Sequence, residues 1–222
     1  MATFAGIIAN SRTTTSQVKT LKKTLYRVLQ SFALCQLYFI RAVFGKALIK
    51  MNFRFWSQLA STCAVLRVLG ATVGKHTHIY SDICVYNLEG YGCRNLSIGS
   101  NVYIGPRCLF DLTSKVTIED DVSISAQVSF ITHLDVGNQP LKKKVPREEG
   151  PITVNKSAWV GVNSTVLHNV TIGEGAMVGA MSLVNKDIPA NSLACGNPCR
   201  VIRTLDKSEQ INDSETYRDS VK

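Results

Sequence analysis

Acidic residues are missing from the first 81 positions, which hold eleven Lys or Arg and no Asp or Glu. From Asp82 onward the chain carries 14 basic and 16 acidic residues, so the net charge of +9 belongs to the N-terminal part. The remainder is close to neutral, which argues against a nucleic-acid groove there. Long apolar runs are missing too. The longest charge-free stretches near the start are residues 28–40 and 55–66, 13 and 12 residues, too short to span a bilayer. Seven cysteines at 35, 63, 84, 93, 108, 195 and 199 form an odd set with no C-x-x-C spacing, so a disulfide framework is not expected. Reduced cysteines in small-residue slots, such as Cys84 and Cys108, imply a reducing, cytoplasmic setting. Only four histidines occur, at 76, 78, 133 and 168, and no three share a spacing that suggests a metal site.

What is present is a rhythm. Branched aliphatics return at Val154, Val160, Val166, Ile172, Val178 and Val184, and the same step of six recurs at Ile98, Ile104 and Phe110, at Ile118, Ile124 and Phe130, and at Val73, Ile79 and Val85. Six residues advance an α-helix by about 600°, so such side chains would spiral around its axis. A single strand would put apolar residues at every second position, and Gly161, Gly173, Gly175 and Gly179 interrupt that alternation. A hexapeptide period predicts a parallel β-helix, in which three short strands and three corners make one coil and each aliphatic stacks on its counterpart 18 residues away. The glycines are expected at the corners.

The rhythm stops between Phe130 and Ile152, where the chain reads ITHLDVGNQPLKKKVPREEGP. A long polar insertion on a rigid solenoid is a natural place for a site. His133 stands at its root, held by the ladder behind it, and an imidazole there is suited to taking a proton from a hydroxyl near neutral pH. Asp111 falls roughly one coil earlier. It either orients the imidazole, holds an acceptor hydroxyl or simply forms a turn.

The segment ITVNKSAWVGVNSTVLHNVTIGEGAMVGAMSLVNKDIPANSLACGNPCRVIR resembles the hexapeptide-repeat acyltransferases, and is similar to the maltose, galactoside and nodulation O-acetyltransferases and to acetyltransferases of polysaccharide gene clusters. The resemblance covers residues 73–203. It implies a left-handed parallel β-helix, a homotrimer with active sites between subunits, and acetyl-CoA as co-substrate without a metal. It also implies that His133 is the base that deprotonates the acceptor for direct attack on the thioester, with no acyl-enzyme. Trp159 matches the family's tryptophan near the pantetheine arm; Gly179, Ala180 and Ser182 match the small residues beside that arm. Lys186, and Arg200 or Arg203, would face the adenosine phosphates. The expected acceptor is a sugar hydroxyl of a surface polysaccharide or glycolipid precursor. An amino-sugar N-acetyltransferase and a non-catalytic scaffold subunit are the alternatives.

The remaining organisation follows from composition. Residues 1–20 read as a flexible basic stretch, and 21–72 as an amphipathic helical segment that either lies on an anionic membrane surface or caps the first coil. Residues 133–151 form a protruding loop of the repeat domain, and 204–222 read as a disordered tail.

Overall fold

The computed structural model describes residues 20, 24–25, 27–36, 38–39, 61–88, 92–138 and 140–205, which fall into two compact units divided after Gly70. The expectations for residues 1–19 and 206–222 lie outside the described residues. In the first unit, residues 27–36 are helical and leave Val28, Leu29 and Phe32 exposed. A second helix, Thr62–Val68, starts where the Ser61 hydroxyl accepts a hydrogen bond from the Ala64 N–H at 3.3 Å, an N-cap. Among the described residues no helix is long and apolar enough to cross a membrane.

The second unit is a parallel β-helix built from three sheets. The first contains β1 (Thr72–Val73), β4 (Leu96–Ile98), β7 (Val116–Ile118), β12 (Ile152–Val154) and β15 (Val170–Ile172). The second contains β2 (His78–Ile79), β5 (Tyr103–Ile104), β8 (Ser123–Ile124), β13 (Trp159–Val160), β16 (Met177–Val178), β18 (Ser192–Cys195) and β19 (Arg200–Thr204). The third contains β3 (Cys84–Tyr86), β6 (Leu109–Asp111), β9 (Ser129–Ile131), β14 (Thr165–Leu167) and β17 (Leu183–Val184). Within these sheets all pairs are parallel except β18 with β19, where an antiparallel hairpin ends the stack and carries regular structure to Thr204, one residue into the stretch expected to be tail.

Register explains the ladder. Val73, Ile98, Ile118, Val154 and Ile172 are consecutive Cα partners, as are Ile79, Ile104, Ile124, Val160, Val178 and Ala194, and Val85, Phe110, Phe130, Val166 and Val184. From Ile98 onward every one of these side chains is at most 1% exposed. Burial of each contributes about 1.5–3 kcal/mol. Phe110 and Phe130 occupy adjacent rungs with centroids 5.0 Å apart and planes 12° from parallel.

Three sequence expectations need correction. Only the last full coil repeats after 18 residues, from Val154 to Ile172; the earlier steps are 25, 20 and 36 residues. The glycines do not make the corners. Left-handed φ values near 60° fall three residues after a ladder position, at His76, Asn101, Arg107, Asp121, Gln127, Ser157, Asn163, Asn169 and Met181, and among the four expected corner glycines only Gly175 has one. Gly161, Gly173 and Gly179 instead follow a ladder residue directly, where a Cβ would lie 2.6, 2.4 and 2.6 Å from Ala180 N, Ala190 N and Cys195 Cβ. They permit coils to approach one another. Finally, Cys108 fills an inward slot, but Cys84 is exposed, because it immediately precedes the inward Val85 and so points to the other face of the strand.

Candidate active site

All the surplus residues enter at one corner, between the third sheet and the first. Thirteen residues separate Val85 from Ile98, eight separate Phe110 from Ile118 and 24 separate Phe130 from Val154, where the repeat requires six. Because successive coils stack, three interruptions far apart in sequence become neighbours along one edge. They line a cavity of about 420 Å³ with Asn87, Gly92 and Asn95 from the first, Leu112 and Thr113 from the second, and His133 and Arg147 from the third. The sequence points to the last of these interruptions through His133 and to the second through Asp111; for the first, the 13-residue gap is the available signal.

The third insertion is anchored at its root. β10 (His133–Leu134) pairs antiparallel with β11 (Glu148–Glu149), setting His133 opposite Glu149, and Gly150 N–H donates to Thr132 O at 3.0 Å. A 3₁₀ turn, Pro140–Lys143, lies between the two strands. Arg147 donates from Nη2 to Glu149 Oε2 at 2.8 Å and places Nη1 3.6 Å from Asp135 Oδ2.

Asp111 is fully buried beneath His133. Its Oδ1 accepts from Asn87 Nδ2 at 2.7 Å, Thr113 Oγ1 at 2.8 Å and Thr113 N–H at 3.1 Å. Its Oδ2 accepts from the Thr132 N–H and Oγ1, both at 2.8 Å, and lies 2.6 Å from His133 Nδ1. Burial by itself would raise the carboxyl pKa, but the bonds from Asn87, His133 and Thr113 outweigh it and hold the group well below the usual carboxylate range. Asp111 is therefore ionised and acceptor-only, which requires the Nδ1 of His133 to carry the proton, so that in the neutral imidazole the lone pair lies on Nε2. The imidazole is 24% exposed. Thr113 Oγ1, 3.2 Å from Nδ1, braces the ring from a second direction.

Of the three roles open to Asp111, its geometry is that of orienting the ring. Asn87, Thr113, Thr132 and Arg147 were not singled out in the sequence, since none breaks the hexapeptide pattern by its type. The other histidines stand apart: His76 is at a corner, His78 is on β2 rather than in a turn and stacks 5.9 Å from Tyr103, and His168 Nε2 is 3.9 Å from Glu148 Oε2. Among the described residues no three His, Cys, Asp or Glu side chains gather as metal ligands would.

The residues expected around a cofactor lie elsewhere, on and beside the last coils. Trp159, Met177, Leu193 and Arg203 form one cross-strand row on the outer face of the second sheet. Exposed Ala180 follows at the next corner. Gly179 meets Cys195 where a side chain would be, and the buried Ser182 donates to Gly179 O at 2.7 Å and accepts from Gly196 N at 3.1 Å, so its hydroxyl shapes the corner. Lys186, Arg200 and Arg203 are exposed, with Arg200 Nη1 donating to Cys199 O at 2.7 Å.

Residues 151–186 match the six-repeat bacterial transferase hexapeptide family. A Staphylococcus aureus (strain MRSA252) protein bearing the name of an acetyltransferase is 41% identical over 122 residues, 54% of this chain; the match spans 61% of that relative's length. Galactoside O-acetyltransferase of Escherichia coli K12 is 32% identical over 178 residues, covering 78% of this chain and 80% of the relative. Among solved structures, a galactoside acetyltransferase in complex with coenzyme A superposes with a TM-score of 0.62 at 28% identity, covering 72% of this chain and 81% of the other. With its stacked hexapeptide coils and this extent of identity, the chain belongs to the hexapeptide-repeat acyltransferases.

Proposed function

We propose that the protein transfers an acetyl group from acetyl-CoA to a hydroxyl of a sugar, with His133 as general base. The observation that carries this reading is the 2.6 Å contact between His133 Nδ1 and the buried Asp111, in a cavity lined also by amides, a hydroxyl and a guanidinium. An acceptor hydroxyl seated there gives its proton to Nε2 as its oxygen attacks the thioester carbonyl. Asp111 then faces an imidazolium and stabilises it. No nucleophilic side chain is required, so transfer is direct. After collapse, the proton on Nε2 is available to the departing thiolate.

Acetyl-CoA supplies the activated acyl group. The chain's own residues fit its chemistry: the row Trp159, Met177, Leu193 offers an apolar track for a pantetheine arm and ends at the cation of Arg203, with Ala180 giving close backbone access at the neighbouring corner. Lys186 and Arg200 are further cations for the phosphates. The relatives support this reading, since one carries the name galactoside O-acetyltransferase and a similar structure holds coenzyme A. We further assign a left-handed winding and a homotrimer in which a neighbouring copy closes each site. The acceptor belongs to surface-glycan synthesis in the cytoplasm, and the basic N-terminal segment contacts the membrane surface.

The test is release of free CoA thiol with a panel of sugar acceptors. Wild type should turn over at least one, and His133→Ala should lose about 10²- to 10⁴-fold in kcat while retaining CoA binding. Unchanged turnover in that variant would sink the assignment of the base. Turnover only with amino sugars would redirect the reading to N-acetylation, and absence of thiol release with every acceptor would favour a scaffold role.

A further inference from the structure

Among the described residues that line the cavity containing His133, Arg147 is the one cation. Its surroundings are acidic: Glu149 Oε2 lies at 2.8 Å, Asp135 Oδ2 at 3.6 Å, and the buried carboxylate of Asp111 stands behind the imidazole. With His133 uncharged, these four groups sum to −2. Lys142, Lys143 and Lys144 are exposed on the same insertion, but none of them lines the cavity and none forms an ion pair among the described residues. A guanidinium has five N–H donors, and a single one is hydrogen-bonded to Glu149; the Asp135 contact at 3.6 Å is an ion pair and too long for a hydrogen bond. Asn87 and Asn95 line the same cavity as Arg147.

We propose that Arg147 is the specificity-determining residue of the acceptor site: clamped by Glu149 and Asp135, it donates hydrogen bonds to the hydroxyls of an uncharged polyol and disfavours an acceptor bearing a carboxylate. This rests on the transfer reading above, which it narrows. An uncharged hydroxyl accepts from the free N–H groups without disturbing the pair. A carboxylate entering against the same donors has to lie among three like charges, those of Glu149, Asp135 and Asp111. The clamp thus converts a residue that usually attracts anions into a donor for neutral oxygen. The pairing of His133 with Glu149 across β10 and β11 places this selection one strand away from the base.

The proposal is tested by ligand-observed NMR of the full chain with a neutral methyl hexoside and the corresponding uronic acid, a readout that does not need turnover. Wild type should bind the hexoside in preference. Arg147→Ala should weaken hexoside binding about ten- to hundredfold, the loss expected for charge-assisted hydrogen bonds, and Arg147→Lys should restore part of it. Glu149→Gln, which keeps the shape and removes one charge, should shift the ratio towards the uronic acid. Lys143→Ala should bind as wild type. Where thiol release is measurable, Arg147→Ala should raise the KM of the acceptor while kcat stays within about threefold, a split that a merely structural staple would not produce. The proposal is overturned by hexoside binding that survives Arg147→Ala, by a wild type that prefers the uronic acid, by a Glu149→Gln ratio equal to wild type, or by no binding of any glycoside. Glycoside binding without thiol release in any mixture would instead remove the transfer reading and leave the selectivity of Arg147 standing.

Discussion

Asp111 concentrates polar contacts: six donors converge on the two oxygens of a fully buried side chain. Replacing it by Asn keeps the volume but turns one acceptor oxygen into an amino group facing donors. Asp111→Asn should therefore lower kcat by about 10² or more, because Nδ1 loses the partner that fixes its tautomer. The same substitution has a pH signature. A carboxyl held below its ordinary value near 3.9 stabilises the folded state at every pH above that value, and the contribution fades as pH falls towards the lowered folded-state pKa. The gap in urea midpoint between wild type and Asp111→Asn should be full at pH 6 and narrow below about pH 4; a gap independent of pH would contradict the electrostatic account. Cys108 behaves in the opposite sense. Burial pushes its thiol up to about 11, outweighing bonds from backbone groups, so folding favours the protonated form. Its contribution is intact below the ordinary thiol pKa of about 8.5 and declines as pH rises towards 11. At pH 8, iodoacetamide should modify the exposed Cys84 in the native protein and reach Cys93 and Cys108 only on unfolding, as mass spectrometry of the peptides would show.

At the scale of one coil, glycine and corner positions obey different rules. Gly173→Ala puts a methyl 2.4 Å from the Ala190 backbone, which cannot move without opening the sheet, and should cost about 1–3 kcal/mol in urea denaturation. Met181 is 70% exposed and adopts φ of 57°, a conformation that a long side chain tolerates poorly. Met181→Gly should raise stability by a few tenths to about 1 kcal/mol, since it relieves that conformation without removing a buried contact. A loss of stability would show that the exposed methionine is covered in the assembled protein. The contrast explains an error of sequence reading. Glycines in a six-residue repeat suggest corners because glycine is permissive, whereas here most corners are taken by other residues, Asn above all, and Gly161, Gly173 and Gly179 serve the spacing between coils.

For the whole molecule, the division of labour between ladder and insertions is the main consequence. The rungs from Ile98 to Val184 bury their aliphatics irrespective of what leaves the third corner, so shortening residues 135–147 to a tight turn should leave the thermal transition within a few degrees of wild type. The same change removes Arg147 and Asp135 from between β10 and β11 and should sharply lower thiol release at a fixed acceptor concentration. A large fall in Tm would mean that the insertion is part of the core. Sedimentation of the intact protein should give a trimer, and a monomer with full activity would remove the proposal that subunits share each site.

Much of this was legible from sequence for a simple reason: the side chains that stack are six apart, so a periodic burial pattern survives as a periodic letter pattern. His133 was legible because it stands where that pattern ends. Asp111 was placed in its neighbourhood by counting coils, but whether it orients a ring, binds an acceptor or turns a corner depends on a 2.6 Å contact that no spacing encodes. Only the tertiary structure stacks three insertions of different length on one edge, joining Asn87 to Asp111 and Arg147 to the cavity of His133. The physical cause is that coils are held in register by backbone hydrogen bonds at fixed rungs, while the residues between rungs are uncounted, so proximity across coils is set by the ladder and not by distance along the chain.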